Sequence, residues 1–485
     1  MRRRHLVHVV SLILLALSGA LGLTFLVALA YGDGDAGAFA VSGAVLVIVG
    51  LVGYWRTRLE RDLTVREGYA VVSLAWLAVG AAGALPYVLS GTIQSPIAAL
   101  FESVSGFTTT GATVFAQIEA LPHGILFWRS LTQWLGGMGI IVLGIAILPF
   151  LGVGGMQLFK AEVPGPTPER LQPRIAQTAK LLWYVYGAMT AAQAVLYLLG
   201  GMPPFEAVTH AFTTLSTGGF STRNASIAAY DSPYIQYVTI LFMYLAGVNF
   251  TLHYRAATGR PGVYLRDNEW RFFTVLAAGA TALVLLVIVG SGLYDRSGFE
   301  LAFRDALFQV VSIITTTGFV SADYELWPIA GQVVLLLLMF VGGMAGSTAG
   351  GIKTLRIYVL ARQALAELRK SLHPRAVILT RVGDRVVKEG VLLRILSFVI
   401  VYLGLFALGA LLMAILGHDL PTSIGASAAS IGNIGPGIGD VGAVDNYGWM
   451  DQASQLTLVL LMLVGRLEIF TVLLLFHPGL WRRTR

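Results

Sequence analysis

Two stretches of this sequence carry nearly the same threonine-rich run. Residues 99–111 read Ala-Leu-Phe-Glu-Ser-Val-Ser-Gly-Phe-Thr-Thr-Thr-Gly, and residues 306–318 read Ala-Leu-Phe-Gln-Val-Val-Ser-Ile-Ile-Thr-Thr-Thr-Gly, with 9 of 13 positions identical. Identity of that order across 207 residues marks an internal repeat. Two shorter copies fit the same register, Ser-Thr-Gly-Gly-Phe at 216–220 and Gly-Asn-Ile-Gly-Pro at 432–436. Aligned on Gly111, Gly219, Gly318 and Gly435, the copies are spaced by 108, 99 and 117 residues. The residue types suit one chemistry. A dehydrated monovalent cation exchanges water for a cage of oxygens, and backbone carbonyls supply that cage without a fixed charge that would trap the ion. Turning successive carbonyls inward requires a positive φ, which glycine adopts without steric cost. Hydroxyls of Thr109, Thr110, Thr217, Thr316 and Thr317 add further oxygens. The plainer alternative is that the glycines only let helices pack closely, as small residues do in membranes.

Such loops need elements that hold them. Hydrophobic residues are 56% of the 485, charged residues 12%, and mean hydropathy is +0.74. A soluble domain carries roughly twice that charge fraction, so lipid is the solvent for much of this surface. Apolar runs at 9–29, 36–54, 69–89, 131–151, 181–200, 234–252, 272–293, 328–345, 391–416 and 453–476 predict ten spanning helices, each near the roughly 20 residues that a bilayer core requires. The first run is too long for a signal peptide and lacks a cleavage site, so it reads as a retained helix. With the N-terminus inside, the tails and the loops near 55–68, 157–180, 255–271 and 353–394 hold 28 of the 33 Lys and Arg. That asymmetry is what the positive-inside rule requires, and it places both termini on the cytoplasmic side of the cell (inner) membrane. The outer segments carry Asp33, Asp35, Glu119, Asp231, Asp323, Glu325, Asp440, Asp445 and Asp451. They predict either an acidic vestibule that concentrates cations or ordinary solvated loops.

Each glycine copy lies between two spans and follows about ten weakly polar helical residues. The predicted fold class is therefore an all-α polytopic membrane protein of about ten transmembrane helices. Four parallel helix–pore-helix–loop–helix repeats surround one central pore, and two extra helices precede them. The corresponding divisions are 1–62 for the N-terminal pair, 63–156 for the first repeat, and 157–256 for a cytoplasmic linker with the second. The third repeat, with an intramembrane loop at 342–351, occupies 257–372, and the fourth 373–485. Parallel repeats about an axis normal to the membrane enclose a path, whereas inverted repeats suggest alternating access. Non-helical backbone at membrane depth survives only where protein or water satisfies it, and pore helices point their negative ends at the centre.

These residues resemble the TrkH/KtrB/HKT superfamily of potassium transporters, and its TrkH branch most closely. The resemblance rests on Ser105–Ala112, Gly136-Gly-Met-Gly139, the run from Gly155 to Gly165, Ser216–Ser221, Gly346–Lys353 and Gly465–Phe470. It implies potassium as the transported and bound ion, a homodimer with one pore per subunit, and a cytosolic nucleotide-binding regulatory ring of TrkA type. It also implies a selectivity filter made of Thr109, Thr110, Gly111 and Ala112, of Thr217, Gly218, Gly219 and Phe220, of Thr316, Thr317, Gly318 and Phe319, and of Asn433, Ile434, Gly435 and Pro436. Members with serine at the first glycine tend toward sodium, and Gly111 here favours potassium. The fourth loop departs from Thr-Thr-Gly, which leaves its carbonyl geometry open.

Below the loops, residues 342–351 hold five glycines in ten. At about 1 kcal/mol each they disfavour helix by roughly 5 kcal/mol. The resemblance makes Gly346, Ser347, Thr348, Ala349, Gly350 and Gly351 an intramembrane loop obstructing the pore; a kinked, tightly packed helix is the alternative. Arg466 falls inside the tenth apolar run, where a cation costs at least about 2.5 kcal/mol and should face water or an acidic partner. On the conduction path it would repel ions and slow leak; otherwise it makes a structural salt bridge. Glu468, two residues on, points to another face. The stretch from Lys353 to Arg394, with an amphipathic helix carrying Arg362, Arg369 and Lys370, suits anionic lipid or a docked regulator.

Several functions are disfavoured. With no cysteine there is no thiolate chemistry, and His123, His210, His253 and His418 lack ligand spacing, so no transition-metal site is expected. Gly437–Gly442 fits a dinucleotide pattern without a preceding strand, and Gly346–Thr354 misses the phosphate-loop spacing by one residue. No cofactor is expected in the chain, and no nucleic-acid partner. An intramembrane enzyme would need paired carboxylates or a Ser/Lys cluster at depth. A secondary transporter of organic solutes would need inverted repeats, and a less selective sodium/potassium transporter of the same fold is the nearer rival.

Overall fold

The computed structural model describes residues 3–57, 65–146, 171–294, 298–376, 378–383 and 385–481. Among these, structure is almost wholly helical. The helices are α1 (Arg3–Tyr31), α2 (Ala36–Arg56), α3 (Val65–Gly83, continued by Leu85–Leu89), α4 (Pro96–Phe107), α5 (His123–Ala146), α6 (Leu171–Leu199) and α7 (Pro204–Leu215). There follow α8 (Pro233–Ala246), α9 (Phe250–Ala257), α10 (Asn268–Gly290), α11 (Phe299–Ile314), α12 (Ile329–Leu338) and α13 (Thr354–Leu372). The last are α14 (Glu389–Ile415), α15 (Leu420–Gly432), α16 (Gln452–Arg466) and α17 (Phe470–Leu473). A two-residue hairpin pairs Arg381–Val382 with Arg385–Val386 between α13 and α14.

Among the described residues, six helices are long and apolar enough to cross a bilayer, namely α1, α2, α3, α6, α10 and α14. Their outward faces leave Leu26, Ile48, Leu286 and Ile400 more than half exposed, as lipid-facing side chains are. Four short helices, α4, α7, α11 and α15, are instead wrapped by the spans. Their polar residues Glu102, His210, Gln309 and Ser427 are fully buried. Three of the four carry proline in the first turn, where its missing N–H costs nothing. Ser95 and Asp419 cap α4 and α15 by accepting from the N–H groups of Ala98 and Thr422.

The apolar runs mislead in three places. The runs 234–252 and 453–476 are not continuous helices but pairs bent by 103° and 112°. The first breaks because Asn249 starts α9, its side chain accepting from the Thr251 N–H at 2.8 Å. The second breaks where Glu468 and Ile469 take φ of 60° and 49°. Only Ile329–Leu338 of the run 328–345 is helical, and the glycine-rich segment beyond it is irregular. The run 131–151 begins inside α5, and its last residues lie outside the described ones. So does the motif at Gly155–Gly165, and most of the loop 157–180.

Candidate functional site

Each short helix ends in the same cap. In the first, the Thr109 N–H donates to Gly106 O at 2.9 Å and the Thr110 N–H to Ser105 O at 2.9 Å. Thr217 and Gly218 make the same pair to Thr214 and Thr213, Thr316 and Thr317 to Ile313 and Ser312, and Asn433 and Ile434 to Ser430 and Ala429. This is the Schellman arrangement, which needs a left-handed residue just past the helix. Thr109, Thr217, Thr316 and Asn433 have φ of 52°, 54°, 57° and 54°. Asparagine takes that conformation readily, but a β-branched residue is strained there by about 1–3 kcal/mol. Local hydrogen bonds offset part of the strain: Thr217 Oγ1 donates to Ser216 O at 2.6 Å, and Thr316 Oγ1 accepts from the Gly350 N–H at 2.6 Å.

Two residues on, Gly111, Gly219, Gly318 and Gly435 have φ of 86°, 76°, 79° and 101°. Conformation is not their only constraint. A Cβ on Gly111 would lie 2.2 Å from the carbonyl oxygen of Gly218, one on Gly219 2.0 Å from Thr317 O, and one on Gly318 1.9 Å from Ile434 O. One on Gly435 would lie 2.7 Å from Thr110 O. Each glycine abuts the middle carbonyl of the next loop, and the fourth returns to the first, so the loops form a closed ring. The fourth loop differs in residue type but not in backbone. Its Asn433 Nδ2 donates to Thr110 Oγ1 at 3.0 Å and to Met462 O at 2.9 Å, tying it to the first.

All four glycines face a small open vestibule of about 70 Å³, also lined by Ala112, Phe220 and Pro436. Of the nine outer acids, Asp445 alone lines it, alongside Arg129 and Arg223. Several of the other acids hold backbone. Glu119 accepts from Asn224 N–H, Glu325 from Gly439 N–H, and Asp451 caps α16.

Sequence reasoning missed the side chains behind the ring. Gln133 Nε2 donates to Gly218 O at 2.7 Å while its Oε1 accepts from Phe220 N–H at 3.0 Å, clamping the second loop. Arg129 and Glu102, both buried, pair at 2.8 Å. Arg129 also donates to Ser221 O at 3.0 Å and covers the Phe220 ring at 4.2 Å. A lone acid and a lone base inside apolar segments were the visible signal.

Below the ring, residues 339–353 cross from one repeat to the others. Thr348 Oγ1 donates to Leu215 O at 3.0 Å and Ala246 O at 3.2 Å, and Gly351 N–H to Gly432 O at 3.0 Å. Met344 N–H bonds Gly247 O, Phe250 N–H bonds Gly346 O, and Ala345 N–H donates to Glu269 Oε1 at 2.7 Å. The breaks in the neighbouring spans are thus where the loop finds its partners, consistent with irregular backbone being tolerated only when satisfied. Arg466, at the end of α16, donates through Nη1 to Thr348 O at 2.8 Å. No carboxylate pairs with it among the described residues; Glu468 pairs with Arg356 instead. Lys353 Nζ donates to Ala349 O.

The fold and this site define a polytopic membrane protein in which four re-entrant loops meet at one ring. A family model described as "TrkH: Cation transport protein" matches residues 36–482, and the chain belongs to that family. It is 42% identical to the Trk system potassium uptake protein TrkH of Salmonella typhimurium, over 99% of this chain and 100% of that one. It is 36% identical to TrkI of Halomonas elongata, over 99% and 97%. The crystal structure of the potassium transporter TrkH from Vibrio parahaemolyticus superposes with a TM-score of 0.91 at 39% identity, covering 99% of this chain and 100% of that one.

Proposed function

We propose that this protein takes up potassium across the cytoplasmic membrane through the ring of Gly111, Gly219, Gly318 and Gly435. The observation that carries the reading is the closure of that ring, each glycine seated against the next loop's carbonyl. Four short helices direct their C-terminal ends at it, which favours a cation there. The carbonyls and threonine oxygens of Thr109–Ala112, Thr217–Phe220, Thr316–Phe319 and Asn433–Pro436 replace the ion's water. An inside-negative potential of about 100 mV supplies roughly 2.3 kcal/mol per charge. Gly346–Gly351 and Arg466 form the barrier below, and a cytosolic nucleotide-binding ring of TrkA type moves it through the basic surface of α13. The subunit works as a homodimer, with both termini cytoplasmic and the five divisions at 1–62, 63–156, 157–256, 257–372 and 373–485. Transport is a binding and passage event with no catalytic residue and no resident cofactor.

The test is ion flux into proteoliposomes with potassium, rubidium and sodium compared under an imposed voltage. The parent admits potassium and rubidium over sodium, and Gly111→Ser lowers that preference by disturbing the carbonyl of Gly218. Equal sodium and potassium flux in the parent would replace the reading with a less selective cation transporter of this fold.

A further inference from the structure

We propose that in the first three repeats the side chain nine residues ahead of the ring glycine is a positioning residue that fixes the outer half of the loop and so sets ion preference. This rests on the potassium reading above. The four positions are Glu102, His210, Gln309 and Ala426, all fully buried. The first three differ in chemistry yet do one thing. Glu102 accepts from Val114 N–H at 2.9 Å and Thr113 Oγ1 at 3.0 Å. His210 Nε2 meets Ser221 Oγ at 2.9 Å, and Gln309 Nε2 donates to Ala322 O at 3.1 Å. Each side chain on a short helix therefore holds backbone or side chain two to four residues beyond its own ring glycine. The carboxylate alone carries charge, and Arg129 neutralises it at 2.8 Å.

The fourth repeat explains its alanine. A Cβ on Gly437 would lie 2.7 Å from the Gly425 carbonyl carbon, so helix and outer strand touch backbone to backbone. The ties come from beyond the short helix instead: Tyr447 Oη, later in the same repeat, donates to Gly435 O at 2.8 Å, and Tyr324 Oη, from the third repeat, to Gly437 O at 2.6 Å.

Buried polar groups ordinarily find partners, so one such bond would mean little. The register is what distinguishes these. The Schellman cap anchors each loop on the inner side of its glycine, and in the first three the residue nine back anchors it on the outer side. Between the two anchors lie the carbonyls whose placement and stiffness separate one ion from another.

The test uses the full-length protein in proteoliposomes, reading rubidium and sodium flux as a ratio together with thermal stability. His210→Leu and Gln309→Leu remove the tie without leaving a buried charge, and each should lower the rubidium-to-sodium ratio on the order of five-fold, the scale of one net hydrogen bond. Exchanging residue types between repeats, His210→Gln and Gln309→His, should rescue the ratio. A structural role alone would lower stability without moving the ratio. Should the leucine variants not fold, Ser221→Ala, which deletes the hydroxyl that His210 meets at 2.9 Å, decides the matter: a lowered ratio supports the proposal and an unchanged one overturns it. Folded leucine variants with the parent ratio, beside a Gly111→Ser control that loses preference, overturn the positioning role and leave the potassium reading intact. A Gly111→Ser control that also keeps the ratio overturns both.

Discussion

The two sides of the ring are built on opposite plans. Outward, four sequence-divergent loops share one backbone: a left-handed residue, then a left-handed glycine two positions on, then a buried tie. Inward, nothing repeats. A glycine-rich segment from the third repeat alone runs beneath the others, held by Leu215, Ala246, Gly432 and Glu269. Arg466 comes from the fourth. Equal contacts suit coordination of a spherical ion, because all four walls must offer the same oxygen. A single strap suits obstruction, since one segment can move without disturbing the other three walls. The outer side resists change through sterics and the inner through a few hydrogen bonds, and substitutions should separate them.

The largest effect is expected at the ring. Gly318→Ala places a Cβ 1.9 Å from Ile434 O at a φ of 79°, which neither loop can relieve without breaking its cap. It should abolish uptake and lower the melting temperature; a folded, conducting variant would break the contrast. Arg466→Ala should act the other way. At about 6 Å and an effective dielectric of 20, a fixed positive charge repels a passing cation by roughly 3 kcal/mol, about a hundred-fold in occupancy. Faster rubidium uptake by a well-folded variant marks Arg466 as a barrier, whereas loss of folding marks it as a structural member of the bundle. Thr348→Val removes the hydroxyl whose one proton is shared between Leu215 O and Ala246 O, worth about 1 kcal/mol net. Basal uptake should rise several-fold with little change in rubidium-to-sodium ratio, and a changed ratio would mean that the strap also shapes the ring.

The smallest effect lies away from both sides, in the outer turn between α1 and α2. The His123 N–H donates to Asp33 at 2.8 Å and its ring sits at 2.7 Å, which holds the Asp33 carboxyl below its ordinary value. A lowered carboxyl contributes stability that is fully present above its unfolded value and lost as pH falls through its folded one. Asp33→Asn should therefore cost below about 1 kcal/mol, as exposed pairs do. The melting-temperature difference should be present at pH 7 and gone in strong acid, with flux unaffected throughout.

The amino-acid sequence by itself determined the lipid setting, the four-fold register and the ring glycines. The physical reason is that each leaves a local mark: apolar length, a repeated run, a residue without Cβ where nothing else fits. Glycine density likewise marked 342–351 as unfit for helix. What only the tertiary structure decided is everything that depends on a partner distant in the chain. The breaks at Gly247–Asn249 and Leu467–Ile469 are hidden within apolar runs, because hydropathy reports solvent and not backbone direction. The second left-handed residue in each loop is hidden because threonine and asparagine give no single signal for it. Glu102 and Arg129 were visible as charges, but their pairing, and the capture of several outer acids by loop N–H groups, required the chain to be folded. Arg466 finds a carbonyl 118 residues away in sequence, and no spacing rule within a helix could have named it.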